Sequence, residues 1–370
     1  MPDKQKKILI CPLEWGLGHA GRCIPLASEF KARGYKVVFG AGKRHLSFLQ
    51  REFPDAETIE FPGFNPTYSK WLPMWLVMVI KSPSLIYHII KEHIELPKII
   101  QKTGADMVLS DNRFGLWSSR VTTIYMTHQI RIKFPRWTLF LEPLGCAIHK
   151  LFIRKYNYCL IPDLSGDNSL SGELSHCVRI PKNASYIGLL SRFTNVMPSP
   201  VLPNGVNELH DTVILSGPEP QKTILKRCIM KAYSDSSVQV VILGAEPDLE
   251  ESSYNEGKFI MFNHLSTTEM KKVILSSRKI ITRSGYSTVM ELVSMNRSAL
   301  LIPTPGQTEQ EYLAKSLSEK GWFTSVSQKN ISDLSGLFPE NQTCDATLLV
   351  EEGNKMLNET IDRIVLADKK

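Results

Sequence analysis

A histidine stands inside a glycine-rich segment near the start of the chain, in the run EWGLGHAGR at residues 14–22. Glycine lets the backbone approach a ligand closely, and the N–H groups at the start of a helix favour negative charge. A histidine in this position has a pKa range suited to accepting a proton from a substrate near neutral pH. His19 is therefore the candidate catalytic base, and a histidine that only caps the turn is the alternative.

A carboxylate that could orient this histidine follows the apolar run at 107–110. In open α/β sheets the carboxyl ends of the strands share one edge, where ligands bind, so Asp111 is expected near His19. A carboxylate there holds an imidazole in the tautomer that accepts a proton. Asp111 is the predicted catalytic partner of His19, and a helix or turn cap is its alternative role.

A second loop with chemical potential is TRSGYSTVME at residues 282–291, which joins a predicted strand to a predicted helix. Its small hydroxyl side chains and its backbone donors suit a phosphate at the helix start. Glu291 lies one turn into the helix, where a carboxylate accepts both hydroxyls of a ribose. Stabilisation of the first helical turn is the alternative role for Glu291.

The elements that must position these loops alternate short apolar runs with helical periodicity. Residues 8–12 and 36–40 are predicted strands on either side of a helix at 22–33. Such a βαβ unit implies a parallel sheet with right-handed crossovers. An uncharged segment with three prolines at 195–207 then precedes a second series of the same kind, and it is typical of a linker.

We therefore predict an α/β chain of two Rossmann-like, doubly wound domains that face each other across a cleft. The length of 370 residues also favours two hydrophobic cores over one. The predicted boundaries are 1–195 for the N-terminal domain, 196–208 for the linker, 209–345 for the C-terminal domain and 346–370 for a C-terminal helix.

The segment 280–322 resembles the MurG-like glycosyltransferases, which have the two-domain GT-B fold with a family 28 C-terminal domain. The motifs Arg-Ser-Gly at 283–285, Leu-Ile-Pro at 301–303 and Gln-Glu-Tyr at 310–312 follow the order of that family without a gap. The loop at 16–19 is similar to the N-terminal loop of the family. The resemblance implies that the first domain faces the acceptor and that the second binds a nucleotide sugar.

The resemblance also implies roles for single residues. It implies the diphosphate at Ser284 and Gly285, the ribose at Glu291 and the donor sugar at Gln310. The acceptor side is implied to include Gly16, His128 and Gln129. The complete set of nucleotide-sugar-binding residues is predicted as Gly18, Ser216, Gly217, Gln221, Phe262, Leu265, Arg283, Ser284, Gly285, Thr288, Glu291, Gln310 and Glu311.

Two features depart from the family. The loop after the first strand of the second domain is SGPEPQ at 216–221, where the family has a glycine-rich turn, and Glu311 replaces the second glutamine of a pair. Both departures lie where the family holds the phosphates and the donor sugar.

These implications predict a glycosyltransferase that moves a sugar from a nucleotide-sugar donor to an acceptor hydroxyl with inversion. The resemblance favours a UDP-linked donor with an N-acetylhexosamine. The sequence lacks an Asp-x-Asp pair, the carboxylate arrangement that other transferases use to hold a divalent metal at a diphosphate. We expect a metal-independent enzyme without a cofactor, in which helix dipoles and backbone donors stabilise the leaving group.

Two other functions fit the same residues. The run GLGHAGR at 16–22 also resembles the G-x-G-H-x-x-R pattern of nucleotide-sugar hydrolases of this fold, in which water replaces the acceptor. A subunit that binds the nucleotide sugar without chemistry is the non-enzymatic alternative, and the presence of His19 and Asp111 weighs against it. Sugar release without an acceptor would indicate the hydrolase, whereas binding without turnover would indicate the subunit.

The composition predicts a cytoplasmic protein with no nucleic-acid partner. The seven cysteines are odd in number, scattered and without a C-x-x-C pair, which argues against a disulfide framework or a structural zinc site. The opening residues do not have the pattern of a signal peptide, and the most apolar run, 71–80, is about half the roughly 20 residues of a spanning helix.

Apolar and basic residues of the first domain predict peripheral binding at the inner face of a membrane. Reversible membrane binding requires this pair of signals. The expected acceptor is therefore lipid-linked, or another glycan at the membrane surface. Burial of the apolar run and solvation of the basic face are the alternatives. The residues concerned are Trp71, Leu72, Trp75, Leu76 and Val77 with Arg131, Lys133, Arg136 and Trp137.

Overall fold

Two parallel sheets organise the computed structural model of the chain. The model describes residues 5–65, 74–134, 136–176, 179–217, 219–244, 246, 253–331, 337–338 and 346–368. Each sheet contains seven strands within these ranges, in the orders given below. Two mostly parallel sheets with helices on their faces confirm the predicted doubly wound α/β fold.

The first sheet has the strand order β3-β2-β1-β4-β5-β6-β7, and every pair of neighbours is parallel. Its order reverses between β1 and β4, which is the position where such sheets bind ligands. The strands are β1 (Lys7–Cys11), β2 (Lys36–Ala41), β3 (Glu57–Glu60), β4 (Met107–Asp111), β5 (Thr122–Met126), β6 (Tyr158–Ile161) and β7 (Ala184–Tyr186).

The second sheet has the order β10-β11-β9-β8-β12-β13-β14, with an antiparallel pair only at β10 and β11 among the described strands. Its order reverses between β8 and β12, which creates a second ligand-binding position. The strands are β8 (His210–Ile214), β9 (Gln239–Leu243), β10 (Ser253–Glu256), β11 (Phe259–Phe262), β12 (Lys279–Thr282), β13 (Leu300–Leu301) and β14 (Thr324–Ser325).

Helices cover both faces of each sheet and begin or end near the cleft. The helices of the first domain are α1 (Leu17–Ala32), α2 (Lys43–Glu52), α3 (Met74–Thr103) and α4 (Glu142–Ile153). Those that follow are α5 (Gln221–Ala232), α6 (Thr267–Ser276), α7 (Tyr286–Ser294), α8 (Thr308–Glu319) and α9 (Ala346–Asp368), with short 3-10 turns at Arg136–Leu141, Gly172–Leu174 and Gln328–Asn330. No helix in the described ranges is both long enough and apolar enough to cross a membrane.

The predicted start of the first helix is wrong by five residues. Helix α1 begins at Leu17 and not at residue 22, because Gly16, at φ +83°, ends the preceding loop in a left-handed conformation. Gly18 and Gly21, which precede the predicted helix, belong to the first turns of α1. His19 is therefore the third residue of the helix and lies in its first turn.

The hydrophobic core continues from one domain into the other. One cluster contains the inner face of α1 and also Tyr286, Val289 and residues of α9, while separate clusters fill the outer face of each sheet. Helix α9 returns to the first domain, where the Asp368 carboxylate accepts hydrogen bonds from Lys6 Nζ at 2.8 Å and Tyr35 Oη at 2.8 Å. These contacts join the domains on the side opposite the cleft. The exact limits of the linker, 196–208, stay a prediction.

Candidate active site in the interdomain cleft

A cavity of about 1280 Å³ lies between the carboxyl edges of the two sheets. Residues from both domains line it, so it is the place where an acceptor on one side could meet a donor on the other. Most of the residues predicted from the sequence lie on its wall: Gly16, Gly18, His19, His128, Gln129, Ser216, Gly217, Phe262, Leu265, Gly285, Thr288, Glu291 and Gln310.

His19 and Asp111 are in direct contact, as the sequence predicts from their positions after β1 and at the end of β4. His19 Nδ1 lies 2.8 Å from Asp111 Oδ2. Asp111 is fully buried, whereas 14% of the His19 side chain is exposed. A carboxylate at this distance accepts the Nδ1 proton, so Nε2 is then the nitrogen that accepts a proton from a substrate.

Arg22 joins the pair from one turn further along α1. Its Nε donates to Asp111 Oδ2 at 2.9 Å, and its NH2 group donates to Asp111 Oδ1. Although burial alone would raise it, the charge of Arg22 and the hydrogen bonds from His19 and Arg22 hold the pKa of Asp111 below its ordinary value. Asp111 is therefore a carboxylate at neutral pH. The sequence places Arg22 in the glycine-rich segment, but only the structure shows this contact.

Burial, together with the positive charge of Arg22, lowers the pKa of His19 below its ordinary value of 6.5. The attraction of Asp111 opposes this shift and does not overcome it. His19 is consequently neutral at pH 7, which is the form that a general base needs before it reacts.

His128 lies beside this cluster and also contacts the second domain. Its Nδ1 is 3.0 Å from Arg22 NH1, and its Nε2 is 2.8 Å from Glu309 Oε1 at the start of α8. The His128 ring is parallel to the ring of Tyr286, with centroids 4.2 Å apart. Glu309 and Tyr286 are functional candidates that sequence reasoning missed, because they come from distant parts of the chain.

The starts of α1 and α7 meet in the cleft. A Cβ atom added to Gly18 would lie 3.0 Å from Ser287 Cβ, so a larger residue than glycine does not fit there without movement. Gly285 and Thr288 belong to the same stretch of the cavity wall. The positive ends of two helix dipoles therefore face one region, which favours an anionic group such as a diphosphate.

Glu291 lies on the cavity wall next to Arg192, which follows β7. Glu291 Oε1 is 3.0 Å from Arg192 Nε. Burial raises the pKa of Glu291 above its ordinary value, while the charge of Arg192 acts in the opposite direction. The Arg192 guanidinium also lies over the ring of Phe193, 4.8 Å from its centroid. Arg192 was not predicted from the sequence, because nothing local relates it to Glu291.

Five predicted site residues lie behind the cavity wall: Asp111, Gln221, Arg283, Ser284 and Glu311. The Ser284 hydroxyl is fully buried and donates to the backbone oxygen of Gln310 at 2.8 Å. The hydroxyl is therefore bonded to the backbone of α8, whereas the sequence predicts that it faces a phosphate.

Two more of these residues shape loops of the wall. Arg283 NH1 donates to the carbonyl of Ile302 at 3.1 Å, and Arg283 NH2 donates to the carbonyl of Gln221 at 2.9 Å. Glu311 Oε1 accepts from the Gly306 amide at 2.8 Å. The contacts of Arg283 and Glu311 explain why a charged residue occurs at each position without facing the cavity.

The wall on the side of the first domain is largely apolar. It is formed by segments of α3 and α4 and by the chain before α4, and its polar members include Asn112 and His149. Asn112 has a φ of +53°, which is uncommon for a residue other than glycine, and it directly follows Asp111. The apolar members of this wall are Val79, Leu85, Phe114, Ile132, Phe134 and Leu141.

Comparisons with known proteins find glycosyltransferases. Residues 222–343 match the model of the glycosyltransferase family 28 C-terminal domain. An uncharacterized glycosyltransferase of Methanosarcina mazei is 25% identical over 343 residues, which cover 87% of this chain and 86% of the relative. Another from Methanosarcina acetivorans is 22% identical, with coverage of 87% and 86%.

Solved structures of glycosyltransferases share the fold over nearly the whole length. The glycotransferase of kitacinnamycin has a TM-score of 0.63 at 13% identity and covers 98% of both chains. Arabidopsis thaliana UGT89C1 has a TM-score of 0.61 at 13% identity, with coverage of 97% and 99%. Spinosyn rhamnosyltransferase SpnG complexed with thymidine diphosphate has a TM-score of 0.57 at 14% identity, with coverage of 95% and 96%.

The structural comparisons confirm the predicted GT-B fold, and the family match confirms the predicted family 28 type of the second domain. The MurG-like subgroup itself stays a prediction. This chain has the GT-B fold of glycosyltransferases, and its residues 222–343 match the glycosyltransferase family 28 C-terminal domain.

Proposed function

We propose that the chain transfers a sugar from a UDP-linked donor, with an N-acetylhexosamine as the favoured sugar, to an acceptor hydroxyl with inversion. The observation that carries this proposal is that one cavity contains both His19 and the start of α7. A base and a diphosphate site that share a cavity allow direct transfer between two bound substrates.

In the proposed reaction His19 Nε2 takes the proton of the acceptor hydroxyl as its oxygen attacks the anomeric carbon. The bond from that carbon to the diphosphate oxygen breaks, and its electron pair leaves with the nucleoside diphosphate. Asp111 stabilises the imidazolium that forms, because it accepts the Nδ1 proton at 2.8 Å. Attack opposite the leaving group inverts the anomeric centre.

The leaving diphosphate is proposed to lie at the start of α7, by Gly285 and Thr288, and the ribose at Glu291. Backbone N–H groups at a helix start stabilise a developing negative charge without a metal ion. The second domain is of the family 28 type, which supports this placement. No metal and no cofactor are part of the proposal.

The acceptor is proposed to be amphipathic or lipid-linked, bound at the surface of an anionic membrane. Two apolar stripes flank the apolar wall of the cavity and are exposed by about half or more. The stripe of α3 contains Val79, Ile80, Ile86, Tyr87, Ile90 and Ile94. The stripe of α4 and the turn before it contains Leu139, Phe140, Leu144, Ile148 and Leu151.

The two stripes belong to one surface of the first domain. His93 of α3 stacks on Trp117 with centroids 3.7 Å apart, and Lys155, just after α4, lies over the same indole at 4.4 Å. Exposed basic residues border the stripes at Lys98, Arg154 and Lys155. Exposed apolar and basic groups on one face are the combination that anionic membranes bind.

This surface differs in its residues from the one predicted by the sequence. Arg131 is paired with Glu142 at 2.7 Å, and Lys133 lies over the ring of Tyr312 of the second domain, 4.7 Å from its centroid. Both basic groups are therefore engaged near the cleft. Val77 is buried. Residues 71 and 72 lie outside the described ranges, as do the side chains at positions 75, 136 and 137.

The test separates catalysis from nucleotide binding with two variants. We expect His19→Ala to lower turnover of UDP-N-acetylglucosamine, with alkyl glycosides as acceptors, by about a hundredfold or more, because a positioned base contributes that much. The same variant should bind UDP with unchanged affinity in calorimetry. Glu291→Ala should instead weaken UDP affinity by about 1.5 to 3 kcal/mol, because a charged hydrogen-bond acceptor is lost.

The pH dependence of kcat/KM provides a further check. Because the pKa of His19 lies below 6.5 in the folded protein, activity should persist through neutral pH and fall only at more acidic pH, where the base becomes protonated. A fully active His19→Ala enzyme would contradict the role of the base. Rapid release of N-acetylglucosamine without an acceptor would instead support the hydrolase.

A further inference from the structure

Glu309 of the second domain reaches across the cleft to the first domain. Its Oε1 lies 2.8 Å from His128 Nε2. The adjacent Thr308 hydroxyl donates to the Lys133 carbonyl at 2.9 Å, which fixes the start of α8 against the first domain. Tyr286, also of the second domain, covers the flat face of the His128 ring at 4.2 Å. His128 is thus held by two residues that leave it if the domains separate.

The hydrogen-bond direction through His128 follows from the chemistry of its neighbours. Arg22 NH1 is 3.0 Å from His128 Nδ1, and a guanidinium nitrogen only donates. His128 Nδ1 is therefore the acceptor, and Nε2 carries the proton that is donated to Glu309. Although burial alone would raise it, the hydrogen bond from His128 and the charge of Arg22 hold the pKa of Glu309 below its ordinary value. Glu309 is consequently an ionised acceptor.

Arg22 is the group through which this chain of hydrogen bonds reaches the base. Its NH2 group lies 2.9 Å from His19 Nδ1 and also contacts Asp111 Oδ1. If NH2 donated to Nδ1, the His19 proton would be on Nε2, and His19 could not act as a base. When NH2 donates to Asp111 and not to His19, Nδ1 keeps its proton for Asp111 Oδ2. The orientation of one guanidinium therefore selects the tautomer of His19.

We infer that Glu309 is a positioning residue that, through His128 and Arg22, holds His19 in the tautomer that accepts a proton. Because Glu309 and Tyr286 come from the second domain, the base is set only when the domains are closed around the cleft. This arrangement would restrict proton abstraction to the closed enzyme. The inference rests on the role proposed above for His19.

The experiment compares three variants of the full chain labelled with 15N in the histidine rings. Nitrogen shifts of the rings report the tautomer of His19 and His128 directly, and they do not require turnover. Glu309→Ala removes the acceptor, Glu309→Gln keeps an oxygen that accepts the same proton, and Glu319→Ala is the matched control. Glu319 belongs to the same helix, and 66% of its side chain is exposed.

We expect Glu309→Ala to shift the His19 ring toward the Nε2-protonated form and to lower kcat by about tenfold to a hundredfold, the size expected for a misplaced catalytic group. The KM for UDP-N-acetylglucosamine and the affinity for UDP should stay within about twofold of wild type, because Glu309 acts through other residues. Glu309→Gln and Glu319→Ala should both resemble wild type in the ring shifts and in kcat.

Unchanged His19 ring shifts in Glu309→Ala would overturn the inference, whatever the effect on rate. A raised KM for the donor with an unchanged His19 tautomer would also overturn it, since that result indicates direct contact between Glu309 and the sugar. Equal damage by Glu309→Gln and Glu309→Ala would show that the hydrogen bond is not the operative feature. If wild type turned over no nucleotide sugar, the proposed function would fail, and the ring shifts would still decide the role of Glu309.

Discussion

Asp111 connects the candidate base His19 to the buried charge of Arg22. It is fully buried and accepts from His19 at 2.8 Å and from Arg22 Nε at 2.9 Å. Arg22 is buried as well, so its charge depends on this carboxylate for compensation. A buried ion pair that loses one partner leaves an uncompensated charge, which is costly. Asp111 is consequently needed for the fold of the cleft as well as for the orientation of the base.

Substitutions of Asp111 and of His19 should therefore differ in their effect on the free energy of unfolding. We expect Asp111→Asn to lower the free energy of unfolding by about 3 to 5 kcal/mol, the usual cost of breaking a buried pair. His19→Ala should cost less, because it removes no charge that Arg22 requires. Urea unfolding of the two variants measures both effects, with the exposed Asp235→Asn as the control. Equal stability of Asp111→Asn and wild type would contradict the structural role of the pair.

Residue types and local spacing predicted His19, Asp111 and Glu291, because each stands at a sheet edge or a helix start that short segments reveal. The spacing of His19 and Arg22 becomes a local signal only with α1 beginning at Leu17, since positions three apart share one face of a helix. Arg192 and Glu309 had no local signal in the sequence. Each acts on a residue that is distant in sequence, and such contacts depend on how the domains close.

At the scale of elements, the contact between α1 and α7 sets the width of the cleft. Strands such as β1 and β2 are predictable because they are largely apolar runs buried on both faces. The contact itself is not predictable, because it requires the backbones of two helix starts to approach across the domains. Gly18 is required there for space and not for its conformational freedom, since its φ is not left-handed.

We expect Gly18→Ala to disturb this contact, because the added Cβ would lie 3.0 Å from Ser287 Cβ and 3.1 Å from its hydroxyl oxygen. Alanine is a better helix former than glycine, so α1 itself should not be weakened. Transfer rate and UDP affinity should both fall as the helix starts move apart.

The double variant Gly18→Ala with Ser287→Gly is the control for this prediction, because it removes the side chain that the new methyl group meets. Recovery of UDP affinity in the double variant, measured by calorimetry, is the expected result. A single variant that binds UDP as well as wild type would show that the two helix starts are not held together in solution.

At the scale of the whole molecule, the domains are joined on two sides of the cleft. Helix α9 bonds to the first domain through Asp368, and the contacts of α8 with His128 and Lys133 lie at the opposite side. The contacts of α8 contribute to closure of the cleft, and α9 also connects the domains. The two apolar stripes defined above contain none of the residues that make these contacts.

Membrane binding is the prediction that belongs to this scale. We expect wild type to float with vesicles that contain phosphatidylglycerol at low salt, and to be released as salt screens the basic residues. The double variant Ile94→Glu with Phe140→Glu removes one exposed apolar side chain from each stripe. Ile94 is 64% exposed and Phe140 is 76% exposed. Burial of a large apolar side chain contributes about 1.5 to 3 kcal/mol, so the double variant should bind at least about a hundredfold more weakly.

Leu209→Glu is the matched control, because Leu209 is 77% exposed but lies in the second half of the chain. Its flotation and the UDP affinity of all variants should equal those of wild type. Wild type that stays in the soluble fraction at low salt, or a double variant that floats normally, would show that the stripes do not bind a membrane.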